Sequence, residues 1–207
     1  MNILIIGSTG SIGRELVKQA LERGHEVTAF ARDPSKLQIA DQKLTIVKGD
    51  VMDPATIEQV MPGHDIVLSA LGAGGKGGVR AEGTRNIIEV MQKCGIRRFV
   101  SLSSLGVSES RANLNFLWKY IMFGLLLRRA FNDHVAQESH IKNSDLDWTI
   151  VRPGAYTDGE RTGNYRHGFN STVKDLELKI SRADVADFML KQLTDDSYLR
   201  KTPAVSY

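Results

Sequence analysis

Residues 2–17, "NILIIGSTGSIGRELV", decide the fold. A strand-like apolar run, Asn2–Ile6, meets three glycines, Gly7, Gly10 and Gly13, and a helical pattern opens at Ser11 without a break. The helix predicted over Ser11–Arg23 puts Ile12, Leu16, Ala20 and Leu21 on one face and stops at Gly24. A strand, a glycine turn and a helix in that order open a parallel βαβ unit. Glycines at this junction let an anionic ligand approach backbone amides, where the helix dipole favours negative charge. Gly7 makes the turn, Gly10 admits phosphate, and Gly13 lets the helix lie against the strand. A tight turn without a ligand is the plainer reading, but the strand before and the helix after favour a dinucleotide. No Gly-Lys-Ser/Thr follows the glycines, which argues against a phosphate-transfer loop.

The alternation continues outward. Strand patterns run over 25–31, 44–50, 65–70, 97–104 and 146–154, and helix patterns over 53–61, 79–94 and 127–143. Ser181 caps a last helix, and only 156–179 reads as irregular. Strands alternating with helices predict a single-domain, Rossmann-like α/β fold over 1–207, a doubly wound parallel sheet with helices on both faces. Residues 105–130 and 155–180 are expected to form a small substrate-side region. Such sheets bind ligands beyond the carboxyl ends of their strands, near the point where strand order reverses. Chemistry is therefore sought in the loops starting at Gly7, Ala31, Asp50, Leu71, Ser104 and Pro153.

Composition narrows the classes. The net charge of +3 comes without a stripe of Lys and Arg, which argues against nucleic acid as a partner. A single cysteine, Cys94, allows no disulfide within the chain, and a reducing, cytoplasmic home is expected. The most apolar later stretch, "FLWKYIMFGLLL" at 116–127, carries Lys119 and Gly124. It falls short of the ~20 residues that a membrane span needs. It is expected to cover a pocket rather than insert stably in a membrane. His25, His64, His140 and His167 are scattered without metal-ligand spacing, so no metal is expected.

The end of the second strand separates the two nicotinamide cofactors. NAD sites place a carboxylate there for the ribose 2′-hydroxyl, whereas this chain reads Ala31-Arg32-Asp33. An arginine forks onto a 2′-phosphate, so NADP(H) is expected, with Lys36 adding charge. Asp33 precedes Pro34 and reads as the cap of a short turn; Arg32 as a plain surface charge stays open.

Together, "GSTGSIG", "ARDPSKL", "VKGDVMDP", "SALG", "VSLSSLGV", "LDWTIVRPG" and "ISRADVADF" resemble the atypical short-chain dehydrogenase/reductases. This is the NAD(P)-binding group that includes NmrA-like proteins, and the match is nearest to its type B biliverdin/flavin reductases. The resemblance covers nearly the whole chain. It implies that Thr9, Gly10, Ser11 and Ile12 line a pyrophosphate and that Arg32 and Lys36 face a 2′-phosphate. It also implies that Asp50 and Val51 flank the adenine and that Ala70, Leu71 and Gly72 pass beneath its ribose. Ser104 takes the active-site serine position, and Pro153 and Gly154 pack near the nicotinamide. Each has a plainer alternative: Asp50 a loop cap, Gly72 a turn, Pro153 a strand end. The resemblance also implies a monomer.

One expected feature is missing. Most short-chain dehydrogenases carry Tyr-x-x-x-Lys after the fifth strand, where the tyrosine moves the proton and the lysine lowers its pKa. No tyrosine here has lysine four residues on, and the expected pair falls at Ala130 and His134. A ketone acceptor builds up an alkoxide that needs an acid, so an ordinary alcohol dehydrogenase is disfavoured. A flavin, bilin or quinone spreads the incoming charge over a conjugated ring, and water then supplies the proton. The sequence therefore points to an NADPH-dependent reductase of a planar small molecule, FMN or riboflavin first, biliverdin or quinone next. His134 reads either as a proton donor, with Glu138 one turn on raising its pKa, or as a plain helix histidine. Ser104 reads as a hydrogen-bonding group; no Ser-His-acid order supports a nucleophile. Leu105, Val107, Phe116, Trp118 and Tyr156 are candidate pocket walls, and Lys76 is a candidate attractor for an acidic substrate. The rival reading is a non-catalytic NADP(H)-sensing or assembly protein. An epimerase or dehydratase fits poorly, because it needs the tyrosine and a larger carboxy-terminal region.

Overall fold

The computed structural model describes residues 1–72, 78–107, 128–169, 173 and 175–207, without the side chain of Arg128. The expected flap at 116–127, with Phe116 and Trp118, and the expected attractor Lys76 lie outside these residues. Strand β1 (Asn2–Ile6) sits in the middle of an eight-stranded sheet, with Ile3 to Ile6 wholly buried. Its neighbours are β2 (Glu26–Ala31) on one side and β4 (Ile66–Ser69) on the other, both parallel to it. β3 (Leu44–Lys48), β5 (Arg98–Leu102) and β6 (Asp147–Pro153) extend the sheet to the order β3-β2-β1-β4-β5-β6. The chain reverses direction across the sheet between β1 and β4, which opens a crevice at their carboxyl ends.

Helices cover both faces. Alternate residues of β1 point to opposite sides. Ile3 and Ile5 join a core with Leu16, Val17 and Ala20 of α1 (Ser11–Glu22) and Val185 and Met189 of α5 (Arg182–Lys191). Leu4 and Ile6 join Ile57 of α2 (Pro54–Val60), Ile87 and Met91 of α3 (Val79–Cys94) and Ile141 of α4 (Arg128–Lys142). Ile5 and Ile6 thus pin the end of β1 from both layers, and the glycine turn after it starts from a rigid strand.

The carboxy-terminal side carries strands too short to leave a period in the sequence. β10 (Ala204–Ser206) pairs parallel with β6, and β8 (Arg166–His167) closes the edge antiparallel to β10. β7 (Ala155–Thr157) and β9 (Lys179–Ser181) form a separate parallel pair. So 156–179, which reads as irregular, contains ordered pieces. Gly154 enters this region where a Cβ would come 2.5 Å from the Leu178 carbonyl oxygen. No helix among the described residues is long and apolar enough to cross a membrane.

Candidate active site

A cavity of about 630 Å³ lies along the strand ends, starting at the glycine turn and reaching across to α4. Gly7 has φ +79°, and a Cβ there would lie 2.6 Å from the Ala70 carbonyl oxygen. At Gly13 a Cβ would run into the Gly7 carbonyl and come 2.8 Å from the Ser8 Cα. The first glycine thus brings the turn against β4, and the last brings the helix against the turn. Buried Ser8 donates its hydroxyl to the Phe30 carbonyl at 3.1 Å, tying the turn to β2.

Helix capping separates α1 from its neighbours. Asp53 accepts from the Ala55 amide to cap α2, and Ser181 accepts from the Asp184 amide to cap α5. At α3, Asp133 takes the Arg80 and Ala81 amides at 3.2 and 3.0 Å. At α1 the cap residue is Gly10, which makes no side-chain capping bond, and Thr9 to Ile12 line the cavity. An uncapped helix start on a cavity wall offers amides and a positive dipole end to an anion.

Each residue named from the sequence has a place. Gly7, Thr9, Gly10, Ser11, Ile12, Arg32, Lys36, Val51, Ala70, Leu71, Gly72, Ser104 and His134 all line the cavity. Arg32 is exposed and makes no ion pair among the described residues, whereas Lys36 lies 3.3 Å from Asp33. Hydrogen bonds from Ser35 and Lys36 hold the Asp33 carboxyl below its ordinary pKa. Gly13 lies behind the turn. Asp50, Pro153 and Gly154 are not on the cavity wall. Asp50 accepts the Met52 amide at 3.0 Å and trades bonds with Thr56, which is the work of a loop cap. The Pro153 carbonyl accepts the Leu105 amide at 2.9 Å, joining the loop after β5 to β6. Leu105 and Val107 are buried core residues rather than cavity wall.

At α4, Glu138 and His134 have different principal partners. Glu138 is 1% exposed and forms a two-pronged pair with equally buried Arg152, at 2.8 and 2.5 Å. It also accepts the Ser103 hydroxyl at 2.8 Å and lies 3.2 Å from Lys142. Burial pushes Glu138 up, but the hydrogen bonds and charge of Arg152 more than offset that and leave its carboxyl below the ordinary value. Its main partner is thus Arg152; His134 pairs with Gln137, Nδ1 to Oε1 at 3.2 Å, and Glu138 raises the His134 pKa only as the smallest of the influences on it. Burial, reinforced by the Arg80 charge, lowers the His134 pKa to about 4. A neutral imidazole at physiological pH is not a ready proton donor.

Ser104, on the cavity wall, donates to the Leu105 carbonyl at 3.2 Å. Tyr156 lines the same end, and the Arg182 guanidinium lies 5.7 Å from its ring centre. Two-fifths of Tyr156 is exposed, yet crowding takes its phenol out of water and pushes the pKa up to about 12. Sequence reading missed Arg80, which also lines the cavity; its only signal was a charge in the first turn of a helix. No cluster of three or more His, Cys, Asp or Glu that could hold a metal occurs among the described residues.

The chain is similar to known proteins over most of its length. A family model described as NAD(P)H-binding matches residues 7–196. Protein YwnB of Bacillus subtilis is 31% identical over 206 residues, which spans 93% of this chain and 92% of YwnB. The photosystem II assembly factor Ycf39 of Synechocystis is 26% identical over 218 residues, 98% of this chain but 61% of Ycf39. The crystal structure of the oxidoreductase ylbE from Lactococcus lactis matches with a TM-score of 0.84 at 25% identity. That match covers 99% of this chain and 90% of ylbE.

Proposed function

The chain belongs to the NAD(P)H-binding family, among the atypical short-chain dehydrogenase/reductases, and from that premise we propose an NADPH-dependent reductase of planar conjugated acceptors. FMN and riboflavin lead the acceptor class, with biliverdin and quinones next. The observation that carries this reading is the far end of the cavity. Ala130 and His134 stand where a tyrosine and lysine would work, and His134 is held neutral. Tyr156 is also a poor acid, since its pKa is raised and no lysine follows it four residues on. An acceptor that delocalises charge needs no such acid.

The residues fit the cofactor. Under this proposal the uncapped start of α1, at Thr9 to Ile12, holds the pyrophosphate; Gly10 keeps a side chain out of its way, and Gly7 and Gly13 let the turn close against β4 and α1. Arg32, aided by Lys36, takes the 2′-phosphate and sets NADPH above NADH. Val51, Ala70, Leu71 and Gly72 flank the adenosine. Asp50 shapes its loop, and Pro153 and Gly154 brace the nicotinamide side from behind. Bound NADPH supplies the hydride. Ser104 holds an acceptor carbonyl or the nicotinamide amide, His134 accepts or donates a hydrogen bond as a neutral ring, and solvent provides the proton. The protein acts on diffusing small molecules, as a monomer, with residues 105–130 and 155–180 forming the acceptor side.

A second reading has one observation behind it. Ycf39, a relative, is an assembly factor, and a cofactor site without an acid also suits a protein that senses NADP(H) without turning it over. An acceptor panel separates the two. With NADPH, the reductase turns over flavins, bilins or quinones above the protein-free rate and leaves simple ketones untouched. Tight NADPH binding with no turnover across the planar panel would establish the sensor instead.

A further inference from the structure

Arg80 lines the cavity as a largely buried cation without a full set of partners among the described residues. Its side chain is 11% exposed, and neither Nε nor Nη1 makes a hydrogen bond among the described residues. Its one ion pair is to Asp133, at 3.5 Å. That carboxylate is already spent on two amides, those of Arg80 and Ala81 at 3.2 and 3.0 Å, and is itself almost wholly buried. A guanidinium removed from water and loosely matched carries a desolvation cost that an incoming anion relieves. Asp133 and the first turn of α3 hold it in place, so it is positioned before any ligand arrives.

Its position says which ligand. The Arg80 charge lowers the His134 pKa and also acts on the Tyr156 phenol, which feels Arg182 as well. Arg80, His134 and Tyr156 line one cavity, and Asp133, next to His134 on α4, takes the Arg80 amide, which sets this charge on the α4 side. Arg182 is drawn to Asp158 at 2.6 Å and to Ser11 at 3.2 Å, so Arg80 supplies the positive charge on the α4 side, where a hydride acceptor of purely neutral surface would need none. We propose that Arg80 anchors an anionic substituent, a phosphate or carboxylate, on the planar acceptor, so that the protein prefers acidic acceptors to uncharged ones of the same ring system. This rests on the reductase reading for the acceptor's ring but not for its charge.

FMN and riboflavin share the ring and differ by one phosphate, so they test the charge alone. In steady-state assays with NADPH, the wild type should show kcat/KM at least about tenfold higher for FMN, as one charge-assisted contact requires. In R80M the ratio should collapse toward one, and R80K, which keeps the charge without the fork, should fall between. NADPH affinity, read by fluorescence titration, should be the same in all three. Thermal unfolding identifies any variant that has lost its fold, and R80K then carries the comparison. Equal kcat/KM for the two flavins in the wild type overturns the inference and leaves the reductase standing. A loss in R80M that is equal for both flavins also overturns it, as does weakened NADPH binding, which moves the anion to the cofactor. If neither flavin is reduced, calorimetry of FMN and riboflavin with the NADP⁺-loaded protein decides Arg80 alone, and bilins and quinones decide the reductase reading. Tighter FMN binding lost in R80M supports the anchor, and equal binding refutes it.

Discussion

Arg32 and His134 stand at opposite ends of one cavity, and each makes a different demand. Arg32 lies at the carboxyl end of β2 with no ion pair among the described residues, so its charge is unspent. R32A should weaken NADPH binding by about tenfold or more, the order of one charge-assisted contact, and leave NADH nearly unchanged. Titration of both cofactors checks this, and an equal loss would remove Arg32 from the 2′-phosphate. His134 has a folded pKa of about 4 against an ordinary 6.5. Between those values the unfolded chain takes up a proton and the folded chain does not, so acid favours unfolding and stability falls as pH drops from 6.5 toward 4. The midpoint of thermal unfolding should therefore drop further between pH 7 and pH 5 in the wild type than in H134Q. Parallel drops would mean that the ring is not held neutral. Neither environment was legible in the sequence. Arg32 was found because a strand end is fixed by local pattern, whereas the burial of His134 depends on how α4 meets α3 and β6.

Helix α4 shows what sequence spacing leaves out at Glu138. One turn after His134, Glu138 is close on the same helix, and spacing alone suggests that the two act on each other. In the fold Glu138 turns to Arg152 of β6, a partner 14 residues away whose inward position only the sheet reveals. Breaking that pair leaves a buried carboxylate with Ser103 and Lys142 only. R152M should cost about 3–5 kcal/mol of unfolding free energy, and the double variant E138L/R152M should recover much of it. Chemical denaturation measures both, and an R152M loss under about 1 kcal/mol would show that the pair is unimportant. Helix α1 was legible because its reason is local. Gly13 permits contact with the Gly7 carbonyl, and the spacing of three glycines encodes that contact. G13A should force helix and turn apart, lowering both the unfolding midpoint and NADPH affinity. Unchanged cofactor binding in a stably folded G13A would break the link between this packing and the site.

At the scale of the whole molecule, six parallel strands in the order β3-β2-β1-β4-β5-β6 follow from an alternation visible from the first residue. Each of these strands runs four residues or more, long enough to leave an apolar pattern, which burial on two faces reinforces in the inner strands. The two- and three-residue strands β7 to β10 are held by pairing with distant segments and leave none. The same division separates the two ends of the cavity. The end at the glycine turn is built by strand ends and one turn, so most of its lining residues are legible in the sequence. The acceptor end is built where α3, α4 and the segment after β6 converge, so Arg80 emerged only from the fold. The central claim is that this cavity passes hydride from NADPH to a planar acceptor without a protein acid. The direct measurement is NADPH consumption at the nicotinamide absorbance band with FMN as acceptor, for wild type and R32A, from pH 6 to 8. The account predicts wild-type turnover above the protein-free rate, little change in kcat across that range, and a fall in kcat/KM for NADPH in R32A. Tight NADPH binding with consumption no faster than the protein-free rate would contradict it.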